Sequence, residues 1–338
     1  MKRVLCVRQD NNGDVLLSGP AIRAVAAKAS VTLLCGPRGF AAASALADVE
    51  RVIVAEAGWI DAQPRAVRSG DVLRVVAELN AQAFDEAIVF TSFHQSPLPI
   101  ALILRMANIR RIGAISVDYP GSLLDVRHSV EDDVHEVKRA LSLAAAMGYE
   151  LPPQDDARLR IRYDDAIAAP FSEYVVVHPG ATVPARAWFP ERNRELVSAL
   201  SALGFNVVVT GTQDEAPLAQ YVAGGSPAAF NAAGMTTFES FAGVLRRATA
   251  VVCGNTAAAH VAAAVQTPVI SIFAPTIPAS RFRPWKVPHA ILGDQRAPCA
   301  GCRARICPVE GQPCVAVVAV TDVVDAIRSL SGAREAVA

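Results

Sequence analysis

The sequence predicts an α/β protein made of two doubly wound parallel-sheet domains. Its 338 residues suit two domains of ordinary size. With 52% hydrophobic and 19% charged residues, it has enough apolar material for two cores and is too apolar for a disordered chain. Short apolar runs alternate with longer amphipathic segments, stop, and then alternate again, the pattern of parallel strands joined by helical crossovers.

In order along the chain, the apolar runs at 4–7, 31–34, 52–54 and 87–90 are read as buried strands, and 20–28, 71–82 and 99–107 as helices. A polar, Pro-containing stretch over 150–170 breaks the alternation. It restarts with strands at 174–177, 206–209, 250–253 and 268–273 and helices at 192–203, 217–222, 238–246 and 257–264. The expected domains are therefore 1–165 and 166–338.

Thirty-two basic residues balance thirty-two acidic ones, which argues against a nucleic-acid partner, whose phosphates need clustered Lys and Arg. No run of about 18 apolar residues is present, so no transmembrane segment is expected. The opening Met1–Arg8 meets a charge after only four apolar residues, too few for a signal-peptide core. A cytoplasmic protein, at most peripherally membrane-associated, is the expectation. Of seven cysteines, Cys6, Cys35 and Cys253 sit in apolar runs and read as core. Cys299, Cys302, Cys307 and Cys314 have the number for a tetrahedral structural Zn or Fe site, although the second pair lacks the usual short spacing. Reduced thiols in a packed loop are the plainer alternative.

Ligands of open parallel sheets bind beyond the carboxyl ends of the strands, so the residues that follow each strand carry the functional information. Neither first strand leads into Gly-x-Gly-x-x-Gly, and no Walker lysine loop is present, which weakens dinucleotide and NTPase readings. After the first strand, Gly13 allows a tight turn and Asp14 precedes a helix expected near Pro20. Asp14 there is either a general base for a substrate hydroxyl or a helix cap. The second domain's first strand ends in His178-Pro179-Gly180-Ala181-Thr182, with Arg186 close behind, a combination suited to phosphate oxygens. Farther on, Gly254-Asn255-Thr256-Ala257 opens a helix of small residues whose free N–H groups attract an anion, with His260 one turn in. His260 is either a ligand group or a satisfied core histidine.

Taken together, these blocks resemble family-nine glycosyltransferases, the ADP-heptose heptosyltransferases. The matching segments are Gly13-Asp14-Val15-Leu16 with Pro20, His135-Glu136-Val137 followed by Met147-Gly148, His178-Pro179-Gly180-Ala181, and Gly254-Asn255-Thr256 through His260 to Phe273-Ala274-Pro275-Thr276. The resemblance implies the GT-B fold, two Rossmann-like domains facing a central cleft, with a C-terminal helix that can pack back on the first domain. The first domain would bind the acceptor and carry the base; the second would bind the nucleotide sugar. It implies an inverting transfer with no cofactor required for catalysis: Asp14 as general base, and Arg186, where the family usually has Lys, neutralising the leaving diphosphate with His260 beside it. Thr182, Thr256 and the backbone of Ala257 match phosphate contacts, Thr236 borders the adenine, and Gln213 falls where a Glu often meets the ribose. Asn255 replaces the usual Asp and Ala257-Ala258 the usual Gly-Pro, a change that bears on the donor sugar. Gly13, His94, Asp118 and Tyr119 are the acceptor-side candidates.

The implied partners are ADP-heptose, or a related nucleotide sugar, and a saccharide acceptor. Many relatives act on lipopolysaccharide core, yet residues 1–165 hold 19 Lys+Arg against 21 Asp+Glu. A slightly acidic acceptor domain is unlike one built for an anionic membrane, so a soluble glycan or natural product stands beside lipopolysaccharide as acceptor. A nucleotide-sugar epimerase of the same fold is the competing enzyme class.

Overall fold

The computed structural model describes residues 1–61, 64–165 and 169–335. It divides into two compact units, Met1–Ile161 and Arg162–Ala338. The first runs β1 Lys2–Arg8, α1 Asn12–Ala26, β2 Ala29–Cys35, α2 Phe40–Ala45, β3 Arg51–Val54, α3 Ser69–Ala81, β4 Glu86–Val89, α4 Leu98–Met106, β5 Arg111–Ile115, β6 Val126–His128 and α5 Glu136–Ala146. The second runs β7 Val175–His178, α6 Pro190–Ala202, β8 Val207–Val209, α7 Ala216–Ala223, β9 Ala229–Asn231, α8 Phe238–Arg247, β10 Ala250–Gly254, α9 Ala257–Ala264, β11 Val269–Ile272, α10 Ala279–Phe282, β12 His289–Leu292, α11 Pro313–Ala316 and α12 Val320–Glu335.

Each unit has one six-stranded sheet, in the order β3-β2-β1-β4-β5-β6 and β12-β11-β10-β7-β8-β9, with every pairing parallel. The two doubly wound sheets match the fold expected from the sequence. The central strands are buried on both faces, and Leu5, Val7, Leu34, Val89 and Ile112 build one core. Val175, Val177, Leu196, Val252 and Ile270 build the other. The C-terminal helix α12 packs on α6 and on β10–β12 of its own unit.

Periodicity missed β5, β6, β8's neighbour β9 and β12, because the last three strands are short or half-exposed and carry little apolar signal. The first helix is a clear correction. It starts at Asn12 and passes through Pro20 instead of beginning there. Proline normally opens a helix because it lacks an N–H and clashes with the preceding turn. Here Val15, Leu16, Leu17, Pro20, Ala21 and Ile22 are all buried, and packing on nearly every face outweighs that cost.

Arg23 near the end of α1 forms two hydrogen bonds to Asp155, Nε–Oδ2 at 2.6 Å and Nη2–Oδ1 at 2.8 Å, clipping the segment after α5 onto α1. Both side chains are about nine-tenths buried. The Arg23 hydrogen bonds, aided by the Ala157 N–H and the charge of Arg160, lower the Asp155 carboxyl from 3.8 to about 2 against the opposing effect of burial. A depressed folded value stabilises above the unfolded value and is lost as pH falls through the folded one. The drop corresponds to roughly 2 kcal/mol. Arg23→Ala, which removes the largest of these contributions, is expected to lower unfolding free energy by at most about 2 kcal/mol at neutral pH. The gap to wild type should close between pH 4 and pH 2; urea titrations across that range check it.

Candidate functional site

Both sheets change winding direction beside their first strand. In the first unit the chain moves to β2 on one side of β1 and to β4 on the other; in the second, to β8 and β10 on either side of β7. The carboxyl ends of strands at such a switch point leave the crevice in which open α/β sheets bind ligands. The residues after β1 and β4, and after β7 and β10, are the ones singled out by sequence.

After β1, Asp14 occupies the third position of α1. It is not the cap: Asn11 takes that place, without a side-chain cap bond. Its Oδ1 accepts a hydrogen bond from Arg8 Nη2 at 3.1 Å, and the carboxylate is 18% exposed. Gly13 is buried in the same turn. Arg8 itself is buried and also donates from Nη2 to Ser92 Oγ, after β4, at 2.9 Å. Asp10 Oδ2 lies 3.0 Å from Arg8 Nε as an ion pair not aligned as a hydrogen bond, and Glu136 Oε2 on α5 lies 3.9 Å from Nη2. Gln95 Nε2 donates to Asp10 Oδ1 at 2.5 Å. Burial raises the Asp10 carboxyl, opposed by Arg8 and reinforced by Asp14. Arg8 is pushed up, because Asp10, Asp14 and Glu136 outweigh burial.

This cluster is the part of the candidate site that sequence reading missed. Its members come from β1, the loop after β4 and α5, separations that no local spacing reveals. The signal was Arg8, a charge closing a strand that is otherwise apolar from Val4 on. The acceptor-side candidates His94 and Asp118-Tyr119 follow β4 and β5 and are exposed. His94 stacks edge-on against Phe93 with ring centroids 5.1 Å apart.

In the second unit, the turn after β7 carries Arg186, whose Nε donates to Thr276 Oγ1 at 3.3 Å. Gly254, at the end of β10, lies against that turn: a Cβ there would sit 2.7 Å from the Arg186 carbonyl. Only glycine lets the two loops approach so closely. Asn255 and Thr256 follow. Asn255 is 5% exposed, and among the described residues neither its Nδ2 nor the buried Thr256 Oγ1 has a hydrogen-bond partner. They stand at the start of α9, Thr256 as its cap residue without a cap bond and Ala257 as its first residue. Buried polar atoms are nearly always paired, so two orphans at one helix N-terminus, beside a guanidinium-bearing turn, mark a place for polar ligand atoms. His260 lies on the buried face of α9.

Thr182 is exposed in the β7 turn, and Thr236 is half-buried just ahead of the α8 cap residue Thr237. Gln213 packs over Gly234, so these two regions meet after β8 and β9. Gly180 is covered instead by the Glu215 carboxylate, which leaves no room for a Cβ and closes a capping box on Thr212. Glu215 was not anticipated, and its charge raises the His178 imidazole, which burial lowers further than that.

The four-cysteine metal site is not supported. Cys299, Cys302, Cys307 and Cys314 border one small cavity with Ala185, Pro275 and Thr276. Among the described residues, however, no three His, Cys, Asp or Glu side chains converge as a metal would require. Cys314 is buried in the apolar core, Cys302 is exposed, and Cys307 Sγ points to the Val309 carbonyl at 3.4 Å. The loop is tied down by other means. Gln312 Nε2 donates to the carbonyls of Ala185 at 2.8 Å and Ala187 at 3.3 Å, the Arg305 carbonyl accepts from Ala185 N–H, and the Thr276 carbonyl accepts from Arg303 N–H. It thereby fixes both partners of the Arg186–Thr276 hydrogen bond.

No helix among the described residues is long and apolar enough to cross a membrane. The sequence model of glycosyltransferase family 9 (heptosyltransferase) matches residues 72–312. Lipopolysaccharide heptosyltransferase 3 of Escherichia coli is 32% identical over 148 residues, 43% of each protein, so the chain spans less than half the length of the curated relatives it matches. The GT-B fold is shared almost end to end with solved structures. Escherichia coli ADP-heptose lipopolysaccharide heptosyltransferase II superposes with a TM-score of 0.76 at 17% identity, covering 99% of this chain and 100% of that one. Escherichia coli heptosyltransferase WaaC, solved with ADP-2-deoxy-2-fluoro heptose, gives 0.74 at 22% identity, covering 97% and 99%. Since the family's own sequence pattern runs from within α3 to the loop ahead of α11, well over half of the residues, the chain belongs to glycosyltransferase family 9.

Proposed function

We propose that the chain is an inverting glycosyltransferase that moves a heptose, or a closely related sugar, from an ADP-activated donor to a hydroxyl of a saccharide acceptor. The observation that carries this reading is the pair of orphaned polar atoms on Asn255 and Thr256 at the start of α9, beside the Arg186 turn. In the second unit, Arg186, Thr182, Thr256 and the free N–H of Ala257 take the negative charge that grows on the departing diphosphate. His260, one turn into α9, assists at the same anion. Asn255 meets the donor sugar, Thr236 the adenine and Gln213 the ribose. In the first unit, Asp14 takes the proton of the acceptor hydroxyl as its oxygen bonds to the anomeric carbon and the carbon–phosphate-oxygen bond breaks. Catalysis by fixed charges and one base calls for no cofactor. Gly13, His94, Asp118 and Tyr119 border the acceptor.

One observation favours a neutral, soluble acceptor over a phosphorylated lipid core. The large cavity of the first unit, about 800 Å³, is walled by Gln9 next to Asp10 and by several arginines. Three of its four arginines are matched by carboxylates: Arg38 meets Asp61 at 2.7 Å, Arg65 meets Glu56 at 3.3 Å, and Arg74 pairs with Asp71. A site for phosphates would keep its guanidinium forks open.

A donor panel tests the reading. Release of ADP from ADP-heptose, accelerated by a saccharide acceptor, supports it, and acceleration by unphosphorylated sugars supports the neutral acceptor. Turnover of UDP- or dTDP-sugars alone overturns the donor assignment. Isomerisation of the sugar without transfer would make the protein an epimerase.

A further inference from the structure

The charge cluster around Arg8 is larger than a lone base requires. One guanidinium, 3% exposed, has three carboxylates around it, on the loop after β1, on α1 and on α5. Burying such a set costs more than apolar packing of the same volume commonly does, so its retention asks for a use. Exposure separates its members. The side chains of Asp10 and Glu136 are 7% and 3% exposed, whereas Asp14 is 18% exposed. Arg8 therefore joins two sealed acids to one that reaches outward. Its Nη2 divides two N–H groups between Ser92 Oγ and Asp14 Oδ1. Oδ2 of Asp14 takes no hydrogen bond among the described residues.

We propose that Arg8 is the positioning residue of the base: it binds Oδ1 of Asp14 and so presents Oδ2 to the acceptor hydroxyl, while Asp10 and Glu136 hold the guanidinium in that orientation. The inference rests on Asp14 being the base. A carboxylate on a helix's first turn can rotate about its side-chain bonds, and a fixed partner on one oxygen removes that freedom before the acceptor arrives. Preorganisation of this kind lowers the barrier without strengthening donor binding. Lysine at position 8 would retain the charge but lose the fork that spans Asp10, Ser92 and Asp14 together.

The test reads ADP release from ADP-heptose, with the best acceptor of the panel or with water as acceptor, and the donor KM beside kcat. Arg8→Met is expected to lower kcat about 100-fold and Arg8→Lys about 10-fold, with donor KM unchanged. Arg8→Met removes the cation shared by two buried acids and can unfold the unit. The triple variant Arg8→Met, Asp10→Asn, Glu136→Gln keeps the shapes while removing the charges; it should melt cooperatively and remain about 100-fold slow. A folded triple variant, or Arg8→Lys, within threefold of wild-type kcat would overturn the inference. Asp14→Asn separates the two levels. If it turns over at the wild-type rate, the base assignment fails and the role of Arg8 with it. If it is slow while the Arg8 variants are not, only the positioning role fails.

Discussion

Asp14→Asn is expected to reduce sugar transfer about 10³-fold, the scale on which a positioned general base contributes. Asparagine preserves the volume, and its amide oxygen can still accept from Arg8 Nη2, 3.1 Å from Oδ1 in the wild-type chain. The variant should fold with its cluster intact, unlike one that deletes Arg8. The proposed donor site is in the other unit, after β7 and β10, so ADP affinity by calorimetry should match wild type. The expected signature is a collapse of kcat at constant donor affinity. Transfer within tenfold of wild type would remove Asp14 from the chemistry.

Why that residue was legible while its setting was not follows from sequence separation. Buried strands announce themselves as apolar runs, and the residue after such a run stands at the carboxyl edge of the sheet whatever the strand order. Asp14, Thr182, Arg186, Asn255 and Thr256 are singled out that way as candidates. Arg8 ends the first strand and was passed over because a charge there reads as the strand's limit. Its partners are Ser92 and Glu136, 84 and 128 residues away in sequence, and only the order β2-β1-β4, with α5 packed on α1, brings them to it. The start of α1 was misjudged for a related reason. Pro20 carries a strong local signal, and the burial that overrides it depends on neighbours the local sequence does not name. The cysteines show the reverse case. Four thiols within sixteen residues have the composition of a metal site, but the path of the loop is set by its hydrogen bonds to the Arg186 turn and to Thr276, and it leaves Cys314 in the core and Cys302 outside.

Those hydrogen bonds also determine what replacing Arg186 should do. Its Nε is engaged by Thr276 at 3.3 Å, which fixes one edge of the guanidinium proposed to meet the diphosphate oxygens. Arg186→Ala is expected to lower kcat/KM for the donor about 10³-fold, because the charge it supplies is worth most when negative charge has developed on the leaving group. Arg186→Lys restores the charge without the fork and should recover most of the loss in kcat while donor KM stays about tenfold high. Thermal stability should change little, since the backbone of the turn is held by the Gln312 side chain and the Arg305 carbonyl. Initial rates over a range of ADP-sugar concentrations, with a melting curve for each variant, distinguish this from a structural role. Equal losses in both variants, accompanied by a lower melting temperature, would mean that Arg186 braces the turn and that another group bears the leaving charge.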